Sequence, residues 1–162
     1  MMKIWKGILG LGLISAIGGI LWKAKKMIEH SDNMMVRYKS YYDMTNQWLR
    51  AKNSKKSAIE YFKNNDISKI AIYGLGELGT RLYEEIKDSE IEVAYFIDKN
   101  ADEIYYGIDD IPVVGINDIA SQESVDAIVV TPIYDFEKIE EDLLDIEIDT
   151  EILSLEDVIY EL

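Results

Sequence analysis

The chain has 162 residues, close to the size of one ordinary domain, which leaves room for a single compact globular unit and not for a second catalytic domain. It lacks cysteine and has one histidine, His30, so a disulfide scaffold, a thiolate zinc site, a cysteine nucleophile and a histidine-rich metal cluster are excluded. The net charge of −14 divides unevenly: residues 1–65 carry 12 Lys/Arg against 4 Asp/Glu, residues 66–162 carry 5 against 27. The acidic part repels nucleic-acid phosphates, whereas the basic part suits an anionic membrane surface or stands as a solvated basic helix.

Gly7–Trp22 is a run of 16 residues without a charge. Trp5 and Trp22 bracket it at a helical separation of ~26 Å, and Lys3, Lys6, Lys23, Lys25 and Lys26 lie just outside, the arrangement of a short transmembrane anchor with interfacial indoles. An interfacial or buried helix and a cleaved signal peptide are the competing readings, the latter opposed by the poor Ala16-Ile17-Gly18 site and the lysines that follow. The excess of Lys/Arg after the run places the remainder of the chain in the cytoplasm. Gly12 with Ala16 and Ser15 with Gly19 are small-residue pairs of the kind common in membrane helices.

Ser31-Asp32-Asn33 predicts a helix N-cap, followed by Met34, Tyr38, Tyr41, Thr45 and Trp48 at steps of four and three, with Met35, Tyr42 and Leu49 alongside. Arg37, Lys39, Arg50 and Lys52 fall on the opposite face. The Met34–Trp48 aromatic face packs against its own domain or serves self-association or a protein partner; spacing does not separate these. A second short helix is predicted over 55–63, burying Ala58, Ile59 and Phe62.

From Lys69 short apolar runs alternate with helical ones. Strands are predicted at 70–73, 93–97, 112–114, 127–130 and 152–153, and helices at 78–87, 136–144 and 155–161: a βαβ progression around a buried parallel sheet. Between the first strand and its helix stands Gly74-Leu75-Gly76-Glu77-Leu78-Gly79, a G-x-G-x-x-G sequence in the context that gives it meaning. Gly74 permits a tight turn, Gly76 lets a phosphate approach the backbone, Gly79 lets helix and strand pack closely, and the helix N-terminus offers N–H groups to a pyrophosphate. Asp98 closes the second strand 24 residues after Gly74, near the spacing of a carboxylate that accepts hydrogen bonds from a ribose diol. Asp98 disfavours a 2′-phosphate, whereas the adjacent Lys99 keeps both NAD and NADP open; Thr131, just after the fourth strand, completes the candidate ligand-binding set.

The segments KIAIYGLGELGTRLYEEI, VAYFIDKNA, YYGIDDIPVVGINDI and VDAIVVTPIYDFEKI resemble the Rossmann-type nucleotide-binding domains of bacterial surface-polysaccharide and nucleotide-sugar proteins. Those include the N-terminal domains of sugar acetyltransferases and the CoA-binding-like domains that precede nucleotide-sugar dehydratases. The resemblance covers Lys69 to about Tyr160 and implies binding of a nucleotide, a nucleotide sugar or NAD(P). Its Gly107 and Pro112-Val113 spacer is stretched here by Ile108-Asp109-Asp110-Ile111, and no β-helix repeat or dehydratase domain follows.

Other patterns carry less. Tyr134 and Lys138 have the Y-x-x-x-K spacing of short-chain dehydrogenases, which a surface helix start also produces; Asp98, Asn100, Asp102 and Asp109 imitate a calcium loop but place Glu103 where such a loop needs glycine. Glu140-Glu141-Asp142 reads as a solvated helix face. The sequence thus predicts an anchor (1–26), a basic amphipathic helical connector (27–65) and an α/β, Rossmann-like domain (66–162). The expected function is a membrane-tethered nucleotide- or nucleotide-sugar-binding module of a surface-polysaccharide system, not a complete enzyme by itself. The alternatives are an NAD(H)-binding sensor or regulatory subunit and a small NAD-dependent oxidoreductase.

Overall fold

The computed structural model describes residues 2–103, 107–146 and 148–162, with side chains from Gly18 onward. The chain divides into two compact units, Met1–Lys39 and Ser40–Leu162. Helix α1 (Met2–Asn53) runs uninterrupted through Ser31-Asp32-Asn33, where the sequence predicts a cap and a new helix. Each of those residues costs at most ~0.7 kcal/mol in a helix interior, and no Gly or Pro lies between Trp22 and Asn53 to break the ladder beside them. Among the described residues no helix is long and apolar enough to cross a membrane. The side chains of the uncharged run before Gly18 lie outside the described residues, and with them most of the predicted anchor.

In the second unit α1 ends in a chain reversal at Lys55, whose φ of 61° is incompatible with the helix predicted to start there. Helix α2 begins three residues later (Ala58–Asn64) and buries Ala58 and Phe62. Five strands follow: β1 (Lys69–Tyr73), β2 (Glu92–Ile97), β3 (Val113–Val114), β4 (Ala127–Val130) and β5 (Glu151–Ser154). Between or after them come α3 (Glu77–Ile86), α4 (Phe136–Leu144) and α5 (Leu155–Tyr160). The sheet is entirely parallel, in the order β3-β2-β1-β4-β5. All four residues of β4 are buried, because a central parallel strand is covered on both faces and needs no polar alternation.

The alternation of side chains defines two cores. Ile70, Ile72, Phe96, Ala127 and Val129 face α2, α3, α5 and the end of α1, meeting Phe62, Leu82, Ile86, Leu155 and Ile159. Ala71, Tyr95, Ile97, Ile128 and Val130 face the other way, onto Ile139 and Leu143 of α4. Both faces of the sheet are therefore helix-covered. Met44, Trp48 and Ala51 are buried at the end of α1, whereas Tyr42 and Leu49 are exposed, so the predicted aromatic face is split: one edge enters the core and the other does not.

The end of α1 is fixed by a carboxylate. Glu85 of α3 has a side chain 4% exposed and accepts from Trp48 Nε1 (2.8 Å), Lys52 Nζ (2.7 Å) and the Ala58 N–H (3.0 Å), joining α1, α2 and α3 at one point. Lys52, expected on the face opposite the aromatic one, is part of this joint. Glu85→Ala leaves two buried N–H donors and a lysine without their acceptor and is expected to cost about 2–4 kcal/mol, read as a lower midpoint in urea at unchanged m. Glu85→Gln retains two of the contacts and should cost less.

Candidate functional site

The order β3-β2-β1-β4-β5 reverses direction between β1 and β4, and ligands of open parallel sheets bind outside the carboxyl ends of the strands at such a reversal. Gly74–Gly79 occupies this place. The Gly74 N–H donates to the Ile97 carbonyl (2.7 Å) and the Thr131 N–H to the Tyr73 carbonyl (3.0 Å), so β2, β1 and β4 stay paired up to the edge where the chain turns.

The three glycines of the loop have different causes. Gly74 has φ +96°, a conformation L side chains rarely adopt, and a Cβ there would lie 2.9 Å from Thr131 Oγ1 and 3.0 Å from the Pro132 ring. Gly79, in the first turn of α3, packs so closely on the turn that a Cβ would lie 2.1 Å from the Gly74 carbonyl oxygen. Gly76 is otherwise: its φ of −102° and ψ of −167° suit any residue, and a Cβ would meet nothing within 4 Å. It is the N-cap of α3, where no side chain caps the helix, so the first-turn N–H groups and the positive end of the helix dipole face outward.

Asp98 follows β2 and reaches the loop. Its Oδ2 accepts from the Leu75 N–H (3.0 Å), its Oδ1 from the Asn100 N–H (2.9 Å), and its own N–H donates to the Val114 carbonyl (3.0 Å). An ionised carboxylate has about four acceptor positions, so two backbone donors orient it and leave capacity for two hydroxyl groups. Thr131 is buried, with its hydroxyl 2.9 Å from the Tyr73 and 3.2 Å from the Gly74 carbonyl oxygens, and its first task is to hold the turn. Lys99, Gly76 and Glu77 are exposed, and Leu78 is half-buried on the inner side of α3. Glu77 lies 3.6 Å from Arg81, which offsets part of the negative charge it brings to the helix N-terminus.

The structure thus brings Gly74, Leu75, Gly76, Glu77, Leu78, Gly79, Asp98, Lys99 and Thr131 to one end of the sheet. It does not bring Tyr134 and Lys138 into a common α-helix: Tyr134 lies in a short 3-10 turn before α4. Asp109 faces Tyr83 Oη (2.9 Å) rather than Asp98. Among the described residues there is no group of three or more metal-ligating His, Cys, Asp or Glu. A groove of about 340 Å³ lies elsewhere, between the end of α1 and α3, lined by Trp48, Leu49, Lys52, Arg81 and Glu85. Sequence reasoning missed the link from Leu75 to Asp98, for which the only signal is an aspartate at a strand end beside a turn.

A parallel αβα sheet with a glycine turn and a strand-end carboxylate at its reversal point defines a class of domain by architecture, not by reaction. The chain belongs to the C2185-like, N-terminal family, whose model matches residues 66–153, just over half of the sequence. No curated protein matches it.

Proposed function

We propose that the second unit is a Rossmann-type domain that binds a nucleotide or nucleotide sugar at the Gly74–Gly79 turn, with the diphosphate over the N-terminus of α3 and a ribose diol on Asp98. The observation that carries this reading is Gly76. Gly74 and Gly79 are demanded by the turn itself, whereas the fold accepts any residue at 76 and would gain from a capping Ser, Asp or Asn. A glycine at this position is what a ligand whose phosphate approaches the backbone would require. Asp98 offers acceptor positions to hydroxyl donors and opposes a 2′-phosphate. That feature favours NAD(H) over NADP and supports the second reading, an NAD(H)-binding sensor or regulatory subunit. Calorimetric titration of the chain with NAD⁺, NADH and a uridine diphosphate hexose distinguishes the readings, and absence of heat with all three would refute both.

The resemblance to polysaccharide-associated domains supports an accessory role in surface-polysaccharide synthesis. The uncharged run Gly7–Trp22, with its flanking lysines, supports tethering to the cytoplasmic membrane with the nucleotide domain in the cytoplasm. The full chain is expected to sediment with membranes and a form beginning at Ser40 to remain in the supernatant. Recovery of the full chain in the supernatant without detergent would refute the tether, and digestion of the domain by protease added outside intact cells would reverse its orientation.

A further inference from the structure

We infer that Glu77 makes the Gly74–Gly79 site selective for diphosphate diesters, in which both ends of the diphosphate are esterified, over nucleoside di- and triphosphates. The inference rests on the nucleotide-binding reading of that turn and concerns the charge the turn accepts. Glu77 is the first residue of α3, next to the N-cap Gly76, and its side chain is 91% exposed. A phosphate drawn to the first-turn N–H groups therefore meets this carboxylate at the same turn. A first-turn glutamate is itself favourable to the helix dipole, so at a phosphate site it uses up part of the attraction that dipole offers.

The positive charge nearby does not cancel Glu77. Arg81 is the one basic residue of α3; its Nη2 lies 3.6 Å from Glu77 Oε2, whereas its Nη1 donates to Glu84 Oε2 at 2.6 Å. One guanidinium thus serves two carboxylates. Lys99 follows Asp98 in the chain, one cation for one carboxylate. The field at the end of β1 is also negative: burial first, and then the charges of Asp142 and Asp98, hold the Tyr73 hydroxyl above its ordinary range. Against these carboxylates stands a dipole end worth about half a positive charge. Such a turn suits phosphates that carry one charge each, as both do in a diester. A terminal phosphate loses its second proton near pH ~6 and brings an additional negative charge to the same place.

Calorimetric titration of the full chain in detergent, at roughly pH 8 and without divalent cations, tests this with two ligand pairs. One is a uridine diphosphate hexose against uridine diphosphate, the other NAD⁺ against adenosine diphosphate. Wild type is compared with Glu77→Gln and, as control, with Glu92→Gln, which removes the same charge at the amino end of β2, away from the turn. Glutamine keeps the size of the side chain, and a melting curve verifies that each variant is folded. In at least one pair, wild type is expected to bind the diester at least ~10-fold more tightly than the free diphosphate. Glu77→Gln should narrow that ratio at least ~5-fold by tightening the diphosphate, and Glu92→Gln should leave it unchanged. A ratio that Glu77→Gln does not alter, or a wild type that binds the free diphosphate as tightly as the diester, would overturn the inference and leave the nucleotide-binding reading standing. Absence of binding with all four ligands would overturn both.

Discussion

Gly79→Ala is expected to lower the stability of the second unit by about 3 kcal/mol, a fall in melting temperature of roughly 6–12 °C. The added Cβ would stand 2.1 Å from the Gly74 carbonyl oxygen, 3.3 Å from its carbon and 3.4 Å from Ile72 Cγ2. Real contacts of this kind do not close below ~3 Å, so α3 or the turn must shift by about an ångström, and a close-packed interior has no free volume to take up such a shift. Neither neighbour yields cheaply. The turn is held by the Gly74 N–H on Ile97 and by Thr131, and α3 is held at its far end by Glu85. Gly74→Ala should cost less, about 1–3 kcal/mol from the positive φ together with the contacts to Thr131 and Pro132. Thermal denaturation followed by circular dichroism checks both, and an unchanged Gly79→Ala protein would mean that the helix and turn are not packed as described.

Gly76→Asp is expected to act in two opposite directions. A Cβ at this position has open space and an unstrained φ, and an aspartate at the N-cap can accept from first-turn N–H groups, so stability should hold or rise by about 0.3–1 kcal/mol. Binding should be lost, because the carboxylate takes the N–H groups that a diphosphate would use and repels it at contact distance. Two like charges ~4 Å apart at a partly solvated site oppose each other by up to about 4 kcal/mol, so a loss of at least ~30-fold is expected after screening. Asp98→Ala provides the contrast. It removes the diol acceptor and frees the Leu75 N–H, and it should weaken binding by about 10-fold without abolishing it. Calorimetric titration with a melting curve on each variant separates binding from folding. A folded Gly76→Asp protein that binds as well as wild type would reduce the loop to a structural turn.

The sheet was legible because it is parallel and its inner strands β2, β1 and β4 are covered on both faces. β4 is four consecutive apolar residues between polar ones, and both α4 and β4 match the boundaries read from the sequence. The helices before the sheet were less so. Ser31-Asp32-Asn33 is a capping sequence by composition, yet capping needs a chain that leaves the helix, and nothing beside the triplet forces it out. Likewise, Lys55 carries no sign of its left-handed φ, which follows from the reversal between α1 and α2. The aromatic residues of α1 announced an apolar face but not its split, because the domain takes Met44 and Trp48 and leaves Tyr42 and Leu49 exposed. At the site, the glycine spacing and Asp98 were readable one by one. Their division of labour was not: that Gly74 and Gly79 serve packing while Gly76 is sterically free depends on distances to residues up to 58 positions away. Glu85 gave no warning at all, since a Glu-Glu pair on a helix reads as solvent-facing and only the approach of Trp48 and Ala58 buries one member.

The central claim is that the loop at the sheet's reversal point holds the diphosphate of a nucleotide. The most direct measurement is amide NMR of the isotope-labelled chain titrated with NAD⁺ and with a uridine diphosphate hexose. The expected result is saturable shifts, with at least one ligand, centred on Gly74–Gly79 and Asp98–Asn100, with the groove at Trp48 and Arg81 unmoved. Saturation without shifts in the glycine loop, or no shifts with either ligand, would contradict it.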